Sequence, residues 1–239
     1  MIFSQCFAAA KISGVAIVSL SISLVASNAQ ALTLTGTSGE FRNPVGGINV
    51  NTTSGQINWG IGFPESTLQS SMAFTGVGAT DSLPVDTEFI LGTLTHFNNP
   101  LFAVSGVSSV ELDITLDFAS AGLQSLAFTL NIAETINAPP CNPSGTTVCP
   151  DIISWDGVSI GQPFNDSGTK YLLEILGFRP TPDSSLTNQL ISEENQSNST
   201  FIYAQVTEVA PVSTPAAILP ILTGLFGSAA CRKKEKKAK

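Results

Sequence analysis

The chain has a single histidine, His96, and its surroundings bear on whether it does chemistry. Serines and carboxylates are plentiful enough to permit a Ser-His-Asp triad. A zinc site usually takes several histidine or cysteine ligands, whereas this chain offers one histidine. The stretch around it, LGTLTHFNNP, follows a predicted strand from Phe89 to Leu94 and consists of residues that favour turns. We therefore expect His96 to hold a turn rather than to catalyse a reaction or bind a metal.

Carboxylates form a second candidate group. Glu111, Asp113 and Asp117 share one face of the predicted strand VELDITLDF, on which residues two positions apart, such as Glu111 and Asp113, lie about 6.7 Å from each other. Such spacing is compatible with the acid pair of a glycosidase, and with calcium binding helped by loops. Polar residues are also the ordinary occupants of an exposed strand face. We therefore expect these carboxylates to face solvent rather than to bind calcium or catalyse a reaction, and we expect no cofactor.

Aromatic residues offer a third possibility, stacking on sugar rings. Trp59, Trp155, Tyr171 and Tyr203 could do this if their rings were exposed. Each tryptophan shares a predicted strand face with an aliphatic residue two positions earlier, in INW and ISW. That pattern favours burial. A carbohydrate-binding module is therefore an alternative rather than the first expectation.

Alternation of apolar and polar residues is the main structural signal. Five apolar residues alternate with polar ones over Val110–Phe118, and Leu126–Ile132 repeats the pattern. Segments 137–150 and 179–200 are expected to be long, irregular loops. The sequence predicts an all-β fold without amphipathic helices, a single antiparallel two-sheet β-sandwich over residues 32–208 that is jelly-roll-like. Its other strand candidates are Leu32–Thr37, Gln56–Gly60, Ser70–Thr75, Phe89–Leu94, Tyr171–Phe178 and Thr200–Glu208.

The two ends of the chain indicate export. Lys11 precedes an apolar run, and Ala29-Gln30-Ala31 fits a signal-peptidase site, so residues 1–31 are expected to be a signal helix cleaved after Ala31. A linker (209–215) leads to an apolar segment (216–231) and a basic tail (232–239). This order is typical of a transmembrane helix that stops transfer and leaves its basic end in the cytoplasm. Its 16 residues would reach only about 24 Å as a helix, which favours a transient anchor.

Charge and cysteines agree with export. All of the 18 acidic residues except Glu235 lie between the two ends, with only three of the 10 cations, which gives this part a net charge of about −14. Nucleic-acid binding needs a cationic surface and is excluded. The exported part contains two cysteines, Cys141 and Cys149. They lie eight positions apart around a turn that contains proline and glycine. An oxidising compartment favours a disulfide between them over free thiols.

The tail, VSTPAAILPILTGLFGSAACRKKEKKAK, resembles the C-terminal sorting signals called PEP-CTERM, in particular the cyanobacterial variant with a Pro-Thr-Pro-Ala motif. The motif reads Ser213-Thr214-Pro215-Ala216 in this chain, so serine replaces the first proline. The resemblance implies recognition by an exosortase, a membrane cysteine transpeptidase. That enzyme would cut near Thr214-Pro215 and remove the basic tail.

The exported part resembles the THxN family, also called the choice-of-anchor K domain. INWG (57–60), EFILGTLTHFNNPL (88–101) and VELDITLDF carry the resemblance, with Thr95, His96 and Asn98 as the motif that names the family. DIISWDGV, KYLLEILGF and FIYAQVTEV are similar to its later strands. The family is a bacterial surface or matrix domain without an assigned enzymatic activity.

Together these features predict a non-enzymatic protein of the bacterial surface or extracellular matrix. Signal peptidase and exosortase are its expected processing partners, and the membrane holds the precursor through the C-terminal segment. Extracellular polysaccharide and calcium are two further partners that the sequence allows without predicting either. A carbohydrate-binding module is the first alternative, and a secreted hydrolase using Asp or Glu pairs is the second.

Overall fold

The computed structural model describes residues 31–63, 67–135, 149–156 and 161–210. Most of the expected signal peptide, Cys141, the sorting motif Ser213–Ala216, the apolar segment and the basic tail lie outside these residues. The described part contains no helix that could cross a membrane. Every described core residue falls between Leu32 and Val206, so the segment 32–210 carries the core that the structure shows.

The described residues form strands and connecting loops. In chain order the strands are β1 (Leu32–Gly46), β2 (Asn51–Thr53), β3 (Gln56–Trp59), β4 (Ser70–Gly76), β5 (Thr80–Leu83), β6 (Glu88–Asn98), β7 (Val107–Phe118), β8 (Gly122–Ala133), β9 (Asp151–Trp155), β10 (Gln162–Asp166), β11 (Thr169–Arg179), β12 (Gln189–Ser192) and β13 (Gln196–Glu208). They pair antiparallel in two sheets, ordered β12-β9-β8-β7-β1-β5 and β10-β11-β13-β6-β4-β3-β2. The predicted all-β class with two antiparallel sheets is confirmed.

The buried faces follow the alternation in the sequence. In β7 the apolar positions from Val110 to Phe118 are buried, whereas Asp117 is exposed. In β8, the next strand of the same sheet, Leu126, Phe128, Leu130 and Ile132 are buried as well. Removing this apolar surface from water is the main favourable term that holds the sheets together.

Two predictions about local structure are wrong. The strand predicted to end at Leu94 continues to Asn98, so Thr95, His96 and Asn98 lie in β6 and not in a turn. Ladder pairing with β4 and β13 on both sides carries the strand through the motif, and pairing ends just before Asn99-Pro100. Segment 179–200 is not one irregular loop, because it contains β12 and the first residues of β13.

The sandwich has two distinguishable ends. We call proximal the end where β1 begins and β13 ends; there Leu32 pairs with Leu83, and Asp86 N–H bonds to the Val206 carbonyl. We call distal the end where β1 ends and β13 begins, and where Gly46 pairs with Val107. Both limits of the described domain, Leu32 and residue 210, therefore lie towards the proximal end.

Candidate functional site

His96 lies inside the distal end and connects the two sheets. It sits on β6, between β4 and β13, and its ring is fully buried. The ring stacks on Trp59, with centroids 5.6 Å apart and planes 10° from parallel. Its Nδ1 lies 2.8 Å from the Oγ of Ser192, which belongs to β12 in the opposite sheet. A hydrogen bond of this ring therefore joins one sheet to the other.

The other residues of the motif continue this connection. Asn98 Nδ2 donates to the carbonyl oxygen of Ser192 at 3.0 Å. On the outer face, Thr95 Oγ1 and Ser199 Oγ share a hydrogen bond of 2.8 Å that links β6 to β13. Asn198, the cross-strand neighbour of His96, accepts a bond from the Glu193 amide at 2.8 Å through Oδ1. The motif thus fixes the end of β12 and the loop that follows it.

Three carboxyl groups surround this connection. Trp59 Nε1 donates to Glu134 Oε1 at 3.0 Å, so this carboxylate turns inwards although Glu134 as a residue is exposed. Asp151 Oδ1 accepts a bond of 2.8 Å from the Thr135 amide. Asn98 lies near Glu194 and favours its charged form, and Glu134 interacts with Asp151. We call Trp59, Glu134, Asp151, Glu194, His96, Asn98 and Ser192 the distal polar cluster.

Burial shifts the pKa values in the cluster in the direction that favours the neutral form of each side chain. Desolvation lowers the pKa of His96 to about 4, so its imidazole is neutral at pH 7. Desolvation and then the nearby charge of Glu134 raise the pKa of Asp151 to about 8. Desolvation and then Glu134 raise the pKa of Glu194 to about 7. The cluster therefore retains protons near neutral pH instead of holding three full negative charges.

Several buried polar atoms of the cluster lack a hydrogen-bond donor or acceptor. Among the described residues these are His96 Nε2, Asn98 Oδ1, Asp151 Oδ2 and Glu194 Oε1. Glu134 and Asp151 can bond to each other only if one of them carries a proton, which agrees with their raised pKa values. Within the described ranges no three His, Cys, Asp or Glu side chains are placed to hold one metal ion.

The cluster contains a serine and a histidine in contact, but their setting does not suit nucleophilic catalysis. Ser192 and His96 are both fully buried, so a substrate has no access to Oγ. The same hydroxyl also lies 3.3 Å from Asn198 Oδ1, to which it donates. A serine nucleophile must be reachable by its substrate.

The sequence also contains one G-x-S-x-G pattern, GVSIG at 157–161. In hydrolases this pattern forms a nucleophile elbow between a strand and a helix. Here β9 precedes it, and β10 follows at Gln162 as another strand. The context of an elbow is therefore missing, and Ser159 itself lies outside the described residues.

The carboxylates singled out from VELDITLDF lie on the outer face of β7. Arg42 on β1 lies 3.3 Å from Asp113 and 2.7 Å from Glu40. Asn43 donates a long bond of 3.4 Å to Glu111. An open cleft of about 330 Å³ lies beside these pairs, lined by Ser38, Gly39, Glu40, Arg42, Ser54, Asp113 and Thr115. The guanidinium of Arg42 therefore lies next to Glu40 and Asp113, where a metal cation would otherwise be attracted.

The aromatic residues considered for sugar stacking are buried. Trp59, Trp155, Tyr171 and Tyr203 each have less than a tenth of their surface exposed. The guanidinium of Arg179 covers the Tyr203 ring at 4.6 Å from its centroid. None of these four rings offers a free face for a sugar.

The distal polar cluster was missed by the sequence analysis except for its motif residues and Trp59. Asp151 directly follows segment 137–150, and Glu194 lies within segment 179–200, both of which were expected to be irregular. Ser192 lies 96 residues from His96 in the sequence. Of the predicted disulfide, Cys149 is disulfide-bonded and buried. Its expected partner, Cys141, is outside the described residues, so the pairing stays a prediction.

Comparisons with known proteins do not add a family to this description. No protein-family model matches the chain, and no curated protein matches it. The similarity to the THxN family and to PEP-CTERM signals therefore remains a resemblance, carried by the motifs quoted above.

Proposed function

We propose that this chain is a non-enzymatic bacterial protein that is exported and retained at the cell surface or in the extracellular matrix. In this proposal a jelly-roll-like sandwich stands between a signal helix and a transmembrane helix. Signal peptidase removes residues 1–31, and an exosortase recognises Ser213-Thr214-Pro215-Ala216 and removes the basic tail. The processed protein then associates with extracellular polysaccharide.

The observation that carries the proposal is the position of the domain limits. Leu32 and the end of β13 lie at the same, proximal end of the sandwich. The linker 209–215 spans at most about 25 Å when extended. A membrane segment at 216–231 would therefore hold the proximal end close to the lipid and leave the distal end free to face outwards.

The buried site supports a role without catalysis. The histidine of the chain is neutral at pH 7, fully buried and bonded to a buried serine. An acidic domain with a net charge of about −14 is well suited to remain soluble in a hydrated polymer.

The test is intact-mass analysis of surface-exposed protein from cells that contain an exosortase. The proposal predicts a mass that begins at Leu32 and ends near Thr214. Replacing Ser213–Ala216 by alanines and glycines should leave the tail attached and the protein in the membrane fraction. Changing Val209 and Ala210 in the same linker is the matched control and should leave processing intact. Surface-exposed protein that still carries Lys239 would contradict the proposal.

The open cleft beside Arg42 favours a second candidate, a carbohydrate-binding module. Its hydroxyl, carboxylate and guanidinium groups can form the hydrogen bonds that a sugar needs. Binding on a glycan array that is lost on Arg42→Ala and retained on Arg179→Ala would support this candidate. An array without binding would remove it and leave the first proposal unaffected.

A further inference from the structure

Three loops at the distal end expose large apolar side chains together. They are residues 47–50, residues 60–63 at the start of the connection from β3 to β4, and residues 99–106, and we call Ile48, Ile61, Phe63, Phe102 and Val104 the apolar cap. Each of the five is exposed, with Val104 reaching 95%. Contiguous apolar surface of this kind on a folded domain usually marks an interaction site.

Hydrogen bonds between the loops fix the shape of the cap. The Phe102 amide donates to the Ile61 carbonyl at 2.8 Å, and the Phe63 amide donates to the Pro100 carbonyl at 2.9 Å. Ser105 joins all three loops, since its carbonyl accepts from the Ile48 amide and its Oγ accepts from the Ile61 amide. The rings of Phe63 and Phe102 meet edge to face, with centroids 5.0 Å apart. The cap is thus preorganised, which reduces the entropy lost on binding.

Val104, in the third of these loops, is held in an unfavourable backbone conformation. Its φ is +64°, a left-handed value that β-branched residues rarely adopt. The side chain gains nothing from the fold, because it is almost fully exposed. Strained residues of this kind concentrate where a chain binds a partner.

The described residues of the cap loops are uncharged, and Glu65 follows Phe63 outside the described residues. The described residues of the three loops include no Asp, Glu, Lys or Arg, although the exported part carries a net charge of about −14. Glu134, which packs on Gly106 at the edge of the cap, turns its carboxylate inwards to Trp59. Two copies that meet through their acidic faces repel each other, whereas the described residues of the cap loops add no charge to a contact.

We propose that the apolar cap is a self-association surface on which a second copy of this chain binds, cap to cap. The contact is self-complementary about a two-fold axis, and it places the acidic faces of the two copies far apart. A lipid surface fits less well, because no lysine or arginine beside the described cap loops could bind anionic headgroups and the domain is strongly acidic.

This arrangement places the four domain limits at the two outer ends of the pair. Each copy would direct its proximal end away from the contact, so one dimer could bridge two layers of a surface or matrix. The self-association depends on residues of the sandwich alone and does not require the sorting signal to be processed.

The test is sedimentation equilibrium on the segment 32–210, which contains the core that the structure shows. Five side chains per copy make a small interface, so we expect monomer at about 1 µM and dimer at about 500 µM. Added salt should strengthen the association, since it screens the acidic faces more than the neutral contact.

Two cap variants and one control separate binding from folding. Val104→Gly removes the side chain and relieves its left-handed backbone, so it should raise the melting temperature while raising the dissociation constant at least tenfold. Phe102→Ser should weaken the dimer to a similar extent. Leu123→Ser changes an exposed apolar residue at the proximal end and should leave the dissociation constant unchanged.

Each remaining outcome overturns the proposal. A wild-type protein that stays monomeric throughout the range has no such surface. A dimer that is unaffected by both cap variants forms elsewhere. A monomer that binds vesicles of neutral or anionic lipid, and loses that binding on Val104→Gly, uses the cap for lipid instead.

Discussion

The two ends of the sandwich are closed by different chemistry. At the proximal end three aromatic rings stack in the core: Phe118 lies 5.1 Å from Phe164, which lies 5.4 Å from Tyr171. At the distal end the corresponding stack is Trp59 on His96, and the surrounding groups are carboxyls, amides and a hydroxyl. One end is held mainly by apolar contact, and the other by a hydrogen-bonded network with ionisable members.

The difference has a physical consequence. Apolar stacking is non-directional and independent of pH, whereas a buried polar network is favourable only while its groups are paired and carry the right protons. The distal network also determines which segment of β12 meets β6. We therefore expect the proximal stack to contribute more stability and the distal cluster to contribute specificity and pH dependence.

The largest effect is expected from Phe118→Ala. Removing a fully buried ring should lower the free energy of unfolding by about 3–5 kcal/mol, because it loses transfer free energy and leaves a cavity. Urea denaturation at pH 6.5 and pH 8.5 measures this loss. The loss of free energy of unfolding should be the same at both pH values. A loss that depended on pH would contradict the distinction between a pH-independent proximal end and a pH-dependent distal end.

A somewhat smaller effect is expected from His96→Ala. The variant loses its own hydrogen bond to Ser192 in the opposite sheet and its stack on Trp59, so the free energy of unfolding should fall by about 2–3 kcal/mol. The matched control is Thr95→Ala, which removes an exposed cross-strand bond and should cost less than about 1 kcal/mol. Equal losses in the two variants would show that the buried histidine does not connect the sheets.

The pH dependence of stability tests the carboxyls of the distal cluster. Asp151 and Glu194 have folded pKa values of about 8 and about 7, above their ordinary values, so the folded state binds more protons than the unfolded state at neutral pH. Stability is then present at low pH and is lost as pH rises through the folded pKa values. Between pH 6.5 and pH 8.5 we expect a decrease on the order of 2 kcal/mol.

This window separates the carboxyls from His96, whose lowered pKa of about 4 affects stability only below its unfolded value of 6.5. Asp151→Asn should remove the larger part of the decrease. Asp117→Asn, on the exposed face of β7, is the control and should leave the decrease in place. A wild-type protein that grows more stable from pH 6.5 to pH 8.5 would contradict the raised pKa values.

The smallest effect is expected from Arg42→Ala on the outer face of the six-stranded sheet. Its ion pair with Glu40 is solvent-exposed and screened by salt, and in its pair with Asp113 the Arg42 side chain is half exposed while Asp113 is 17% exposed. The variant should unfold at the same urea concentration as the wild type, within experimental error. A clear shift would indicate that the polar cleft contributes to the fold.

Much of the fold could be predicted because it depends on local pattern. Alternation in β7 and β8 identified strands with the correct buried faces, since side chains point to opposite faces at successive positions. The end of β6 could not be predicted in this way. Turn-forming residues after Leu94 suggested a stop, but pairing with two neighbouring strands overrides that local preference.

The candidate site shows where pattern reasoning stops. His96 and Asn98 could be singled out as a motif, and their structural role could be anticipated from the absence of other histidines. Their partners could not, because Ser192 and Asp151 come from distant segments that only the packing of the two sheets brings together. An acidic residue that will be buried has the same appearance in a sequence as one that will be exposed.

The central claim is that His96 joins the two sheets through Ser192. A double-mutant cycle of His96→Ala and Ser192→Ala, with the free energy of unfolding measured at pH 6.5, tests it most directly. We predict a coupling energy of about 1 kcal/mol or more, because either single change already breaks the bond. Additive losses, with a coupling energy near zero, would contradict the claim.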